Sequence, residues 1–117
     1  MTRIRSLAAL AVLAFVAVAP AQGAVPKLTG TVGPGFTITL KKSGTVVKTL
    51  KAGKYTLTVS DKSGFHNFRI KGPGKINKAT SVAKQGTTTW TLTLVKGTYT
   101  ILCDPHASTM KRTFKVT

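Results

Sequence analysis

Threonine alternates with aliphatic or aromatic residues along much of this chain. Thr88, Trp90, Leu92 and Leu94 are interleaved with Thr87, Thr89, Thr91 and Thr93, a period of two that sets one group of side chains on each face of a β-strand. Tyr55, Leu57 and Val59 alternate with Thr56 and Thr58 in the same way, and Phe36, Ile38 and Leu40 with Thr37 and Thr39. His66, Phe68 and Ile70 are predicted to share one strand face, opposite Phe65, Asn67 and Arg69. Tyr99, Ile101 and Cys103 share another, and Phe114 and Val116 mark a last strand.

Turn residues separate these runs. Lys41-Lys42-Ser43-Gly44 predicts a hairpin turn with a return strand over 45–50, and Ala52-Gly53-Lys54, Asp61-Lys62-Ser63-Gly64, Lys71-Gly72-Pro73-Gly74 and Lys96-Gly97 predict further turns. Val25-Pro26-Lys27-Leu28 reads as an irregular lead and Gly30 to Gly35 as a turn-rich stretch. Lys75 to Gly86 carries the weakest pattern, with room for a short strand near Thr80-Ser81-Val82 or one helical turn. No segment sustains a helical period. Short threonine-rich strands between glycine turns predict an all-β chain, an antiparallel β-sandwich or barrel. The likeness of Ala52-Gly53-Lys54-Tyr55-Thr56-Leu57 to Lys96-Gly97-Thr98-Tyr99-Thr100-Ile101 is one turn-into-strand solution used twice.

The first residues follow a different rule. Arg3 and Arg5 precede an apolar run from Leu7 to Val18, and small residues follow in Ala19-Pro20-Ala21-Gln22-Gly23-Ala24. This is the layout of a secretory signal cleaved after Ala21 or Gly23. The run before Pro20 is shorter than the roughly 20 apolar residues of a membrane span. No stable span is therefore expected. Removing residues 1–23 of the 117 leaves 94, enough for one domain with a modest core. The expected location is outside the cytoplasm, secreted or periplasmic.

Charge narrows the partners. Eighteen Lys and Arg face only Asp61 and Asp104, a net charge of +16. Copies of such a chain repel one another, so a monomer is expected, and an acidic partner protein or an anionic envelope surface is attracted. The absence of arginine clusters and of aromatics interleaved with basic residues argues against nucleic acid.

The candidate chemistry is concentrated in Cys103-Asp104-Pro105-His106-Ala107-Ser108-Thr109-Met110. This octet holds the only cysteine, one of two histidines and the only methionine besides Met1; the other histidine is His66. One cysteine cannot form an internal disulfide, and in an exported chain it calls for an explanation: intermolecular pairing, a free thiol or metal ligation. Two imidazoles, a thiolate and a thioether form the ligand set of a blue-copper electron-transfer site. Zinc accepts Cys and two His but rarely a thioether, and a structural zinc site more often has a second Cys or a third His. Cys103 and His106 can reach one ion only across a turn, which Asp104-Pro105 supplies because proline fixes its own φ and biases its predecessor away from helix. A closed set without an open position suits electron transfer rather than catalysis, so no enzymatic activity is expected. Trp90, Tyr55 and Tyr99 are expected to pack in the core and its corners.

On Gly64-Phe65-His66-Asn67-Phe68, Gly97 to Cys103 and the octet with Lys111 to Val116 behind it, residues 24–117 resemble the cupredoxins, the plastocyanin-like type 1 copper proteins. The resemblance implies a Greek-key sandwich and one copper ion cycling between Cu(I) and Cu(II). His66, Cys103 and His106 would be the equatorial ligands and Met110 the axial one. Asn67 would steady the cysteine loop by hydrogen bonding, and His106 would be the ligand edge nearest solvent. The chain departs from the family in two places. Three residues separate His106 from Met110, where plastocyanins have four and amicyanins two, and Arg112 stands where glycine is common.

The leading expectation is an exported one-electron carrier. The same ligands would serve a copper-binding or copper-delivery protein without electron transport. A cationic structural β-domain bound to an anionic envelope is the third class.

Overall fold

The computed structural model describes residues 11, 12, 14 and 23–117. The expected signal segment lies almost wholly outside them. No helix among the described residues is long and apolar enough to cross a membrane.

Among the described residues ten strands follow one another: β1 Lys27–Val32, β2 Ile38–Lys42, β3 Thr45–Val46, β4 Thr49–Leu50, β5 Gly53–Asp61, β6 Arg69–Gly72, β7 Ile76–Ala79, β8 Gly86–Leu94, β9 Gly97–Leu102 and β10 Lys111–Val116. One 3-10 turn, Asp104–His106, sits between β9 and β10. The strands form two five-stranded sheets, ordered β3-β2-β1-β5-β8 and β4-β10-β9-β6-β7. The longer strands bury alternate side chains between the sheets: Tyr55, Leu57 and Val59 from β5, Leu92 and Leu94 from β8, Tyr99 and Ile101 from β9, Phe114 and Val116 from β10. The result is the all-β sandwich that the alternation predicts. Most pairings are antiparallel, but β1 runs parallel to β5 and β10 parallel to β4, so both sheets are mixed.

Several local expectations are corrected. The lead and turn-rich stretch contain a full strand, β1. Leu28, Gly30 and Val32 occupy its inward positions, and glycine hides the alternation. Gly30 is needed there because a Cβ would stand 2.8 Å from the Phe68 ring. Gly72 likewise lies flat against the Tyr99 ring, leaving no room for a side chain. The return strand predicted over 45–50 divides into β3 and β4, which belong to different sheets, so the chain crosses the seam of the sandwich there. Phe36 does not share the core face of Ile38 and Leu40; it precedes β2 and is 64 % exposed. The strand predicted through His66 begins only at Arg69. The weakly patterned segment forms β7, a short strand earlier than expected, paired with β6.

Candidate metal centre

Strand direction gathers the candidate ligands at one end of the sandwich. Strand β5 ends at Asp61, and the loop to β6 carries His66. Strand β9 ends at Leu102, and Cys103 follows immediately. Short hydrogen bonds shape the His66 loop. The Ser63 N–H donates to Asp61 Oδ1 at 3.0 Å and the Phe65 N–H to Ser63 Oγ at 3.2 Å. The Phe68 N–H donates to Thr80 Oγ1 at 2.9 Å. The cysteine loop closes on itself: the Cys103 N–H donates to the Met110 carbonyl at 3.0 Å, and the His106 and Met110 N–H groups donate to the Cys103 and His106 carbonyls at 3.0 and 2.8 Å. Pro105 lies inside the resulting 3-10 turn, where its fixed φ is already suited.

These two loops bring three donor atoms together. His66 Nδ1 and His106 Nδ1 are 3.1 Å apart, and Cys103 Sγ is 3.6 Å from each. A point equidistant from the three lies about 2.0 Å from every one of them, within the usual range for metal to imidazole nitrogen and close to that for metal to thiolate. Three acceptors aimed at one point repel unless a proton or a cation lies between them. The soft thiolate with two imidazoles fits copper. Within the described residues this is the group of His, Cys and acidic side chains placed to hold an ion. His66 and Cys103 are fully buried, whereas His106 is only partly covered. Met110 is buried where the loop closes.

A second layer fixes the donors. The Asn67 N–H points at Cys103 Sγ, 3.4 Å away, and its side chain bridges the two loops through Asp104 and the Thr80 carbonyl. Asp104 is clasped by Arg69, Nε to Oδ1 at 2.7 Å and Nη2 to Oδ2 at 2.8 Å, and Arg69 also donates to Asn77 Oδ1 at 2.7 Å. The guanidinium, helped by the Asn67 amide, holds the Asp104 carboxyl below its ordinary range against the opposing effect of burial. Asp104 thus remains a charged acceptor beside the cysteine. Arg112, where a glycine is common in the resembling family, donates from Nε to the Ile38 carbonyl at 2.9 Å. Its long side chain ties β10 to β2.

Sequence reasoning misses the roof of the site. Phe36 packs edge-on over both imidazoles, with ring centroids 5.1 Å from His66 and 5.0 Å from His106. Phe65 lies 4.3 Å from His66. Both phenylalanines are more than half exposed, so the site is capped by an apolar surface rather than by water. Phe65 is adjacent to His66 in the chain and could have been found; Phe36 has no local signal, because its period matches the core residues after it.

No protein-family model and no curated protein matches the sequence. Solved structures do. Reduced rusticyanin is 23 % identical, with a TM-score of 0.57 and 81 % of each chain covered. A single-site variant of rusticyanin has 23 % identity and a TM-score of 0.60 over 81 % of this chain and 79 % of that one. Rusticyanin from Thiobacillus ferrooxidans has 24 % identity and a TM-score of 0.57 over the same shares. Rusticyanin is described as a copper protein and is a cupredoxin. The fold of the present chain is therefore the cupredoxin β-sandwich.

Proposed function

We propose that this protein is an exported one-electron carrier that holds a single copper ion between His66 Nδ1, Cys103 Sγ and His106 Nδ1, with Met110 as a weaker fourth ligand. The observation that carries this reading is the three-atom triangle, whose centre lies at bonding distance from all its corners. Bound copper supplies a one-electron couple between Cu(I) and Cu(II). The chain's own part is to present the same donors to both states. Backbone hydrogen bonds within the cysteine loop and the Asn67 bridge restrain the donors, so little rearrangement accompanies a change of charge. His106, partly exposed between Phe36 and the cysteine loop, is the edge through which an electron enters and leaves. Phe36 and Phe65 keep water from the imidazoles.

In this reading residues 1–23 are a cleaved signal and residues 24–117 the copper domain, working in the periplasm or outside the cell. The partner is an acidic redox protein, and the net charge also draws the domain to anionic envelope surfaces. Complete burial of His66 and Cys103 favours retention of the ion over delivery of it.

Adding Cu(II) to the purified apoprotein is expected to give an intense blue thiolate charge-transfer band, lost in Cys103→Ala. A colourless product with copper bound and Cys103 unoxidised would overturn the proposal.

A further inference from the structure

The pole of the sandwich opposite the metal centre carries a groove of about 700 Å³. Its floor is apolar, from Val46, Val47, Leu50 and Tyr55, and Lys42, Lys48, Lys51 and Lys54 line it. It exists because the chain changes sheets between β3 and β4, leaving the seam open beside the start of β5. Strand β5 runs from this groove to the loop of His66, and its nine residues span roughly 25 Å.

The charge around the groove is one-sided. Both acidic residues lie at the far pole, Asp61 at the end of β5 and Asp104 beside Cys103, and Asp104 forms its ion pair with Arg69. No Asp or Glu side chain lines the groove; at its edge the Ala52 N–H donates to the Thr117 main-chain oxygen at 2.9 Å. The four lysines are exposed and point-charged, above apolar surface that their own methylene stems extend. The chain also enters the domain here: Pro26 is part of the groove wall, and upstream of it lies the apolar run from Leu7 to Val18.

We infer that this groove is the surface by which the domain sits on a bilayer of anionic phospholipids, with lysines on the headgroup phosphates and the metal centre turned away from the membrane. The inference rests on the reading of the chain as exported. Charge complementarity sets the orientation: the four exposed groove lysines match the anionic headgroups, whereas Asp61 and Asp104 lie at the opposite pole. Bound in this orientation, His106 stays open to a soluble partner.

The test uses residues 24–117, which contain both sheets and the whole core, and vesicles of phosphatidylglycerol mixed with phosphatidylcholine, with pure phosphatidylcholine as reference. Binding is measured by co-sedimentation. One variant carries K42Q, K48Q, K51Q and K54Q; a second, equal in charge, carries K62Q, K71Q, K78Q and K84Q, all outside the groove. Circular dichroism confirms that both are folded. A lysine at an anionic surface contributes about fivefold in affinity. The groove variant is therefore expected to lose more than about a hundredfold, the second less than about tenfold, and both to bind less at high salt. Equal losses would show that bulk charge alone is responsible and would overturn the inference. So would binding of short polyglutamate, abolished in the groove variant, without any binding to the vesicles. Copper does not enter this measurement, so its failure and the failure of the copper reading are told apart.

Discussion

Asn67 and Asp104 hold each other at two points: Asn67 Nδ2 donates to Asp104 Oδ2 at 2.8 Å, and the Asp104 N–H donates to Asn67 Oδ1 at 2.7 Å. One side chain thereby joins the loop of His66 to the loop of Cys103. Replacing it by alanine strands the Asp104 N–H and the Thr80 carbonyl in a partly buried place. Asn67→Ala is expected to lower stability by about 2–3 kcal/mol, read from urea unfolding, and to shift the visible band of the copper-loaded protein. An unchanged band would mean that the two loops hold their geometry without the bridge.

The roof over the imidazoles sets how much water reaches them. Water favours the more highly charged, oxidised site, so removing apolar cover lowers the reduction potential. Phe36→Ser is expected to lower it by on the order of tens of millivolts, measured by voltammetry. Thermal stability should change little, because Phe36 is already 64 % exposed. A potential equal to the parent's would show that Phe36 does not shield the site.

Gly30 tests the fold beneath the site. A methyl group there would meet the Phe68 ring at 2.8 Å, and Phe68 is fully buried two residues from His66. Gly30→Ala is expected to cost about 1–3 kcal/mol through overpacking, seen as a lower melting temperature. Gly30→Ala combined with Phe68→Leu should recover part of the loss, since the clash is with the ring.

Asp61 contributes in the opposite sense to a paired carboxylate. It is 4 % exposed, and its Oδ2 has no hydrogen-bond partner among the described residues. Burial pushes its carboxyl above the ordinary value, against the lowering effects of the Ser63 N–H, His66 and Thr80. The folded state therefore binds this proton more tightly than the unfolded chain does. The ionised group costs stability above its folded pKa, and the cost is relieved as pH falls through that value. Asp61→Asn is expected to be more stable than the parent near neutrality, with the difference shrinking on acidification. Urea unfolding of both apoproteins across that pH range measures it, and a difference independent of pH would exclude the ionised carboxylate as its source.

The candidate ligands are legible in the sequence because so few soft or imidazole side chains exist to choose from. His66, Cys103 and His106 do converge, although His66 reaches the site from a loop rather than a strand. Strands β2, β5, β8, β9 and β10 announce themselves by alternation. Strand β1 does not, because its inward position at Gly30 is occupied by the ring of a distant residue. Nor does the change of sheet after Val46, which depends on two sheet edges being available rather than on local preference. Phe36 shows the limit of periodicity: it keeps step with Ile38 and Leu40, yet the chain turns before it, and only the assembled fold decides that it covers imidazoles instead of the core.

The closure of the Cys103 loop by its own main chain has a practical consequence. Main-chain hydrogen bonds within the loop shape the socket, which gives it the character of a mould more than of a clasp. Silver or mercury ions, thiophilic and of suitable charge, should seat in it without refolding, leaving the protein intact but colourless. Preparations exposed to such contaminants would keep their shape and lose their colour, and metal analysis belongs beside every spectrum.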